Sequence, residues 1–434
     1  MITDTAPIGV VGLSHLGVTV SGGLASLGFT VLGVDSAAAT VSRLQNGDCL
    51  YPEPLLPELF RTHASSMKFT LDFSQLASCD RIIFAEDTII TEENEMDLHR
   101  VHALIDAMIP HLKNGCSILF KSQVPVGFTR ALQKKIHTER PDLTFRLYYW
   151  VDVLVVGDAV ARFLHPGRIT IGYEATPAEP MSDAVLRLLQ VFDCPVLSMN
   201  YESAEITKSA MNVYLATTVT FANAISNLCE VSGADMKDVI TALRLDKRVG
   251  PFAYIQPGVG FSGGHLERDL VALTRLAKTH KVSNALIDLI QNESAARYEW
   301  LKKKIESMIF TKNSSPKIAI WGLSYKKNTD SLHGAPSLKV IRDFAERAEL
   351  TVYDPAAKLS PDLKVTVVSD RYKALAGADA LLILSNWDEF ADLDVSKLKK
   401  AMKTSLIIDP LGVLGQVNFA HTDVQYVTMG KSVV

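Results

Sequence analysis

Short apolar segments alternate with amphipathic ones through the first third of the chain. Ile8–Val11 is typical of a buried strand, an apolar helical stretch runs on to Leu27, and residues 30–34 predict a second strand. Further strands or connectors are predicted at 81–85, 117–121, 146–151 and 169–171, with a helix around 98–111. This order predicts one mostly parallel sheet with helices on its faces.

The middle of the chain has helical periodicity alone. Residues 203–231 contain no proline or glycine, so they predict one long helix. Shorter helices are predicted at 236–243, 267–278 and 283–308. Together they predict a helical linker domain, whose long apolar central helix is a natural surface for a homodimer.

After a polar linker at 312–316, the alternation of strands and helices begins again. The chain predicts strand Lys317–Trp321, a glycine turn at 322–330, a helix at 337–346 and strand Glu349–Tyr353, with later strands at 364–368, 380–384 and 406–408. We therefore predict an α/β fold with two Rossmann-like doubly wound domains, residues 1–200 and 316–434. A helical domain at 201–310, with the long central helix, joins them.

Composition narrows the functional classes. The 434 residues are 47% hydrophobic and carry a net charge of −4, which gives no electrostatic case for nucleic acid or an anionic membrane. No apolar run reaches the roughly 18 residues of a membrane span and no signal segment opens the chain, so we expect a cytoplasmic protein. Five scattered cysteines favour reduced thiols, and no metal site is expected.

The first strand runs into the glycine turn Gly12-Leu-Ser-His-Leu-Gly17, and Asp35 ends the second strand. In a βαβ unit this spacing predicts dinucleotide binding, because free N–H groups at the helix N-terminus receive a pyrophosphate. Asp35 would accept hydrogen bonds from a ribose diol and repel a 2′-phosphate, which favours NAD over NADP. Ser14 stands where the fingerprint has its middle glycine, so a degenerate domain with an empty groove is the alternative.

Residues 257–264 contain four glycines, and His265 follows the last of them. Glycines at this density let backbone approach a ligand, so the loop predicts a site that presents His265; a flexible surface turn is the alternative. Lys208 and Asn212 stand four apart on the long helix and could donate to a developing oxyanion, or could simply face solvent. Asp152, inside an apolar run, is either a helix N-cap or a site residue.

These and other segments resemble the UDP-glucose/GDP-mannose dehydrogenase family over nearly the whole chain. The agreeing stretches are Val11–Gly17 through Asp35, Gln123–Gly127, Pro166–Gly172, Ala204–Asn212, Asn227–Asp235, Asp246–Gly250, the glycine loop with Asp269, Asn328–Asp330 and Asn386–Phe390. The resemblance implies a dimer, NAD bound by the N-terminal domain, and a nucleotide sugar bound by the middle and C-terminal domains.

The resemblance also implies roles for individual residues. The catalytic set comprises His265, Asp269, Lys208, Asn212 and Asp152. The NAD set comprises Gly12, Ser14, Leu16, Gly17, Asp35, Gln123 and Arg268. The substrate set comprises Arg248, Gly250, Phe252, Gly260, Phe261, Gly264, Tyr325 and Lys326. Independently of the resemblance, Lys326 and Lys327 in the second glycine turn could neutralise a diphosphate, or could simply lie at the surface.

One departure from the family lies at the chemistry itself. At the position of His265 the family has a cysteine, which captures an aldehyde as a thiohemiacetal so that a second hydride can leave. Other departures are Asp152, Val156, Gln123, Arg268, His333 and Leu411. An imidazole adduct is readily lost, so we predict an NAD-dependent oxidoreductase on a nucleotide sugar, UDP-linked by preference, that stops after one two-electron step. A full 6-dehydrogenase, an NAD-dependent epimerase and an inactive binding homologue are the alternatives.

Overall fold

The computed structural model describes residues 6–174, 180–360, 362–419 and 421–432. The chain divides into two compact units, residues 1–211 and 212–434, and the long helix Tyr201–Ser232 runs through the boundary. We call these the first unit and the second unit. The division into three domains at 200 and 310 stays a prediction.

The first unit has the predicted alternation of strands and helices. Its strands are β1 (Ile8–Val11), β2 (Val31–Val34), β3 (Met67–Thr70), β4 (Arg81–Phe84), β5 (Ile89–Ile90), β6 (Met96–Asp97), β7 (Cys116–Phe120), β8 (Phe145–Trp150), β9 (Ile169–Gly172) and β10 (Val196–Met199). Its helices are α1 (His15–Ser26), α2 (Ala38–Gln45), α3 (Leu56–Thr62), α4 (His99–Met108), α5 (Phe128–Glu139), α6 (Ala159–Leu164), α7 (Asp183–Gln190) and the start of α8 (Tyr201–Ser232), with 3₁₀ turns at Ala64–Ser66, Phe73–Ser78 and Ile109–His111.

Among the described residues, eight of these strands form one sheet in the order β10-β9-β8-β7-β4-β1-β2-β3. All neighbours are parallel except the antiparallel pair β8 and β9. The strands β1, β2, β4 and β7 are buried along their whole length, as parallel strands covered on both faces must be. The strand order reverses between β1 and β4, so this sheet places its ligand crevice beyond the carboxyl ends of those two strands.

The second unit contains the rest of α8, a helical segment and a second sheet. Its further helices are α9 (Met236–Leu245), α10 (His265–His280), α11 (Ala285–Ile305), α12 (Pro336–Phe344), α13 (Arg371–Ala374), α14 (Asp388–Ala391) and α15 (Val395–Ala401), with a π turn at Glu306–Phe310. Its strands are β11 (Lys317–Trp321), β12 (Glu349–Tyr353), β13 (Thr366–Val367), β14 (Ala380–Ile383), β15 (Leu406–Ile408) and β16 (Gln425–Val427). In the described part they form a parallel sheet in the order β13-β12-β11-β14-β15-β16.

The predicted α/β class, its mostly parallel first sheet, its second sheet and its central helices are confirmed. The sequence pattern missed β3, β10 and β16, which lie at sheet edges and are partly exposed, so they lack a continuous apolar run. The strand predicted at 364–368 is only the exposed edge pair Thr366–Val367. Among the described residues, none of the helices combines the length and the apolar character needed to cross a bilayer.

Candidate active site

The glycine turn after β1 has the backbone geometry that the sequence predicts. Gly12 adopts φ +88°, and a Cβ on Gly17 would overlap the carbonyl oxygen of Gly12, so only glycine lets α1 pack this close to the strand. Ser14 precedes α1, and its Oγ accepts a hydrogen bond from the Asp87 N–H at 2.7 Å. The backbone of the turn therefore fits a dinucleotide.

The side chains around this turn are already engaged with one another. Asp35 is fully buried, and its two oxygens accept from the N–H groups of Leu13 and Ala37 at 2.8 and 2.7 Å. Both oxygens also accept from Nη2 of Arg100, at 2.8 Å each. A carboxylate offers about four lone-pair positions, so Arg100 takes the places that a ribose diol would need.

A second cationic and acidic cluster lies at the ends of β7 and β8. Lys121 is 2% exposed, its Nζ lies 3.2 Å from Oδ1 of Asp152, and it stands 4.8 Å above the ring of Trp150. Burial lowers the pKa of Lys121; the Asp152 carboxylate opposes that shift, and the charge of Lys208 adds to it. Of the two predicted residues, Asp152 pairs directly with Lys121, and Lys208 acts on it through its charge. Asp152 is not a helix N-cap: α6 begins later, after Asp158.

In the second unit, Asp269 lies at the centre of a buried polar cluster on α10. The carboxylate is fully buried, Oδ2 accepts from Nδ2 of Asn212, and Oδ1 lies 3.4 Å from Nε of Arg268. Arg268, predicted to contact NAD, is itself 5% exposed. Buried charges need such partners, so this cluster is held as one set of hydrogen bonds.

His265 is the first residue of α10 and is exposed. Gly264 precedes it with φ +75°, a left-handed conformation that glycine adopts without strain. His265 and Asp269 are four residues apart and share one face of α10. An accessible imidazole one turn before a buried, hydrogen-bonded carboxylate is suited to accepting a proton from a bound ligand.

The glycine loop that leads to His265 is packed against its own unit. A Cβ on Gly260 would lie 2.6 Å from the carbonyl oxygen of Ser294, and the Phe261 N–H donates to Oγ of Ser294 at 2.8 Å. A Cβ on Gly263 would overlap the Tyr325 ring, and the Gly263 N–H donates to the His333 carbonyl at 2.9 Å. The loop is therefore a packed segment and not a flexible turn.

The other predicted substrate residues divide into two groups. Tyr325 lies under the glycine loop with Lys326 beside it, 5.6 Å from the ring, so these two belong to the same neighbourhood. Arg248 is exposed and pairs with Asp246 at 2.7 Å, Gly250 has φ +89°, and Phe252 is 97% exposed. The role of that second group in substrate binding stays a prediction.

Sequence reasoning missed Lys121 and three groups around the glycine turn Gly12–Gly17, which we call the cofactor turn. These groups are Glu86, Asp87 and Arg100. Burial raises the pKa of Glu86 to about 7, although Arg100 opposes the shift. A signal was present, because Glu86 and Asp87 follow an apolar strand directly, and polar residues at the ends of parallel strands line ligand sites. Gln123, predicted to contact NAD, is near them: its carbonyl accepts from Oγ1 of Thr88 at 2.5 Å.

The second sheet repeats this turn. Gly322-Leu-Ser324 matches Gly12-Leu-Ser14, and Asp354 accepts from the Leu323 N–H at 2.7 Å as Asp35 accepts from Leu13. Lys327, in the turn that follows, is paired with Asp388 at 2.7 Å. A doubly wound sheet with a glycine turn into its first helix and an acid after β2 defines a Rossmann-type dinucleotide-binding protein.

Comparison with known proteins gives the particular family. Profiles of the UDP-glucose/GDP-mannose dehydrogenase family match its NAD-binding domain at residues 6–190, its central domain at 202–294 and its UDP-binding domain at 319–416. The chain belongs to this family and has the domains of an NAD-dependent nucleotide-sugar dehydrogenase.

Individual relatives agree along the whole chain. It is 30% identical to UDP-glucose 6-dehydrogenase TuaD of Bacillus subtilis (98% of this chain, 94% of the relative) and 29% identical to a UDP-glucose 6-dehydrogenase of Rhizobium meliloti (98% and 99%). A UDP-glucose dehydrogenase structure from Pyrobaculum islandicum has a TM-score of 0.85 at 26% identity, covering 99% of both chains.

Proposed function

We propose that this protein oxidises an alcohol of a UDP-sugar with NAD and stops after one two-electron step, at an aldehyde or ketone. The observation that carries the proposal is His265. It begins α10, follows the glycine loop and is exposed, one helical turn before the buried Asp269. The family resemblance places a cysteine there, and the five cysteines of this chain all lie outside the glycine loop.

In this proposal His265, Asn212 and Lys208 have three separate roles. His265 accepts the hydroxyl proton, since an exposed neutral imidazole can do so near neutral pH. Asn212 is oriented by its hydrogen bond to Asp269, which leaves its remaining amide hydrogen to stabilise the developing oxyanion. Lys208 stands one turn before Asn212 on α8 and supplies a positive charge.

The step balances as an ordinary alcohol oxidation. NAD held at the Gly12–Gly17 turn would supply the hydride acceptor for the hydrogen on carbon. His265 takes the proton from the oxygen, so the products would be a carbonyl and NADH. A second oxidation requires either a covalent adduct or a hydrate of that carbonyl. An imidazole adduct is readily lost, so only the hydrate route remains and acid formation is disfavoured. The product is therefore released at the carbonyl stage.

Two findings favour a UDP-linked sugar. The third profile match is to a UDP-binding domain, and both curated relatives named above are UDP-glucose 6-dehydrogenases. Tyr325, packed under the glycine loop, and Lys326 beside it would lie against the diphosphate or sugar.

A homodimer through α8 is part of the proposal. Tyr214, Phe221 and Leu228 are 64%, 45% and 61% exposed, and their spacing of seven residues puts them on one face of the helix. Large apolar side chains repeated along one exposed stripe are typical of a helix that packs against a partner.

The test counts NADH. Purified protein would be incubated with NAD and UDP-glucose, UDP-N-acetylhexosamines or GDP-mannose, and NADH formed per sugar consumed would be compared with the product identified by mass spectrometry. We expect one NADH and a carbonyl product. Two NADH and a uronate would refute the single step, isomerised sugar without NADH would favour an epimerase, and binding without conversion would favour an inactive homologue.

His265 variants sharpen the result. His265→Ala should lower turnover by about 10²–10⁴-fold with little change in sugar affinity, as loss of a general base does. His265→Cys should raise the yield toward two NADH per sugar, because a thiol can hold the adduct. His280→Ala, at the other end of the same helix, is the matched control and should leave turnover unchanged.

A further inference from the structure

The N-terminus of α1, where a Rossmann domain receives the pyrophosphate, already holds a carboxylate of this chain. The N–H of Leu16, the second residue of α1, donates to Oδ2 of Asp87 at 3.0 Å. The Asp87 N–H donates in turn to Oγ of Ser14 at 2.7 Å. Ser14 precedes the helix but makes no side-chain cap, so Asp87 does the capping. A free N–H at this position is what a phosphate oxygen would need.

A second carboxylate lies on the glycine of the same turn. The side chain of Glu86 is buried, and both its Cβ and Oε2 stand 2.8 Å from where a Cβ on Gly12 would be. Oε1 of Glu86 pairs with Nε of Arg100, while Oε2 has no hydrogen-bond partner among the described residues. Gly12 has no side chain, which would let a ligand approach the backbone closely, but Glu86 lines that space.

The basic side chains near this turn, Arg100 and His15, are already paired with carboxylates of the chain. Arg100 holds both Asp35 and Glu86, and His15 lies 2.8 Å from Oε2 of Glu53. Glu53 is itself buried and accepts from the N–H groups of Gly157 and Ala159, at the start of α6. A pyrophosphate would therefore enter beside the carboxylates of Glu86 and Asp87. Asp87 already accepts the hydrogen bond from Leu16 N–H that the pyrophosphate would need.

We propose that Asp87 is an internal occupant of the phosphate position, and that NAD binds only when this carboxylate withdraws from the N-terminus of α1. The inference rests on NAD binding by this domain and does not depend on which sugar is oxidised or how often. A ligand that needs a fractionally populated state binds with an affinity reduced by that fraction. Asp87 therefore weakens NAD binding, and the residue at position 87 determines how much.

Direct binding of NAD, measured calorimetrically without sugar, tests this. Asp87→Asn removes the charge while its amide oxygen can still accept from Leu16, so the helix remains capped. We expect it to bind NAD and ADP-ribose about tenfold more tightly than the natural protein, a change of about 1.4 kcal/mol. Adenosine, which has no phosphate, should bind equally to both.

Two controls separate the phosphate position from bulk charge and from misfolding. Glu93→Gln removes an equal charge from the exposed segment that follows and should leave NAD affinity unchanged. Asp87→Ser, with a short hydroxyl cap, should tighten NAD binding in the same direction, and circular dichroism checks the fold of each variant. The proposal would be overturned if both Asp87 variants bound NAD with unchanged or lower affinity, or if no variant bound NAD. It would also be overturned if adenosine, or the Glu93→Gln variant, showed an equal gain in affinity.

Discussion

Glu86 makes the stability of the first unit depend on pH. Its burial raises the pKa from 4.5 to about 7 in the folded protein. As pH rises, the carboxyl of the unfolded chain ionises near 4.5, whereas that of the folded chain stays protonated up to about 7. Between these two pKa values ionisation stabilises only the unfolded state. The folded first unit therefore loses stability as pH rises from 4.5 to 7, and the loss levels off above 7.

The magnitude follows from the shift. Each unit of pKa corresponds to about 1.4 kcal/mol, so the full loss approaches about 3 kcal/mol. Glu86→Gln keeps an oxygen that can accept from Nε of Arg100 but cannot ionise. The free energy of opening of the variant, minus that of the natural protein, should therefore rise by about 3 kcal/mol between pH 4.5 and pH 7.5.

Hydrogen exchange measures the opening free energy of the first unit by itself. A local measurement is needed because the two units of the chain need not unfold together. The amides of Ile82, Ile83 and Phe84 lie in the buried strand β4, directly before Glu86, and report the opening free energy of the sheet. Exchange would be measured from pH 4.5 to pH 7.5 and corrected for the intrinsic pH dependence. Glu93→Gln, at an exposed carboxylate, should give a flat difference. A flat difference for Glu86→Gln as well would refute the reasoning.

Two further predictions concern the second unit and assembly. Asp269→Asn leaves the buried Arg268 without its carboxylate and should destabilise the second unit by about 3 kcal/mol, seen as a lower Tm, and should also abolish turnover. Unchanged Tm and turnover would contradict that role. Tyr214→Asp puts a charge on the exposed stripe of α8 and should shift a dimer to monomer in sedimentation equilibrium. A dimer of unchanged affinity would place the interface elsewhere.

The arrangement of the candidate site could be predicted only in part. Gly12, Gly17 and Asp35 could be located because a glycine turn between an apolar strand and an apolar helix is a local pattern. The pairing of Asn212 with Asp269 joins positions 57 residues apart, and the sequence indicated only that each was a candidate. Lys121 was missed because a lysine at the end of a strand is ordinarily exposed, whereas here Asp152 and Trp150 enclose it.

By itself the sequence determined the repeated strand and helix order and the long central helix, since each is read from neighbouring residues. The tertiary structure alone decided what occupies the cofactor turn. Leu16 and Asp87 are 71 residues apart, and Asp35 and Arg100 are 65 apart, yet they meet because the parallel strands β1, β2 and β4 end at one edge of the sheet. Sheet order brings those side chains together, and no local pattern encodes it.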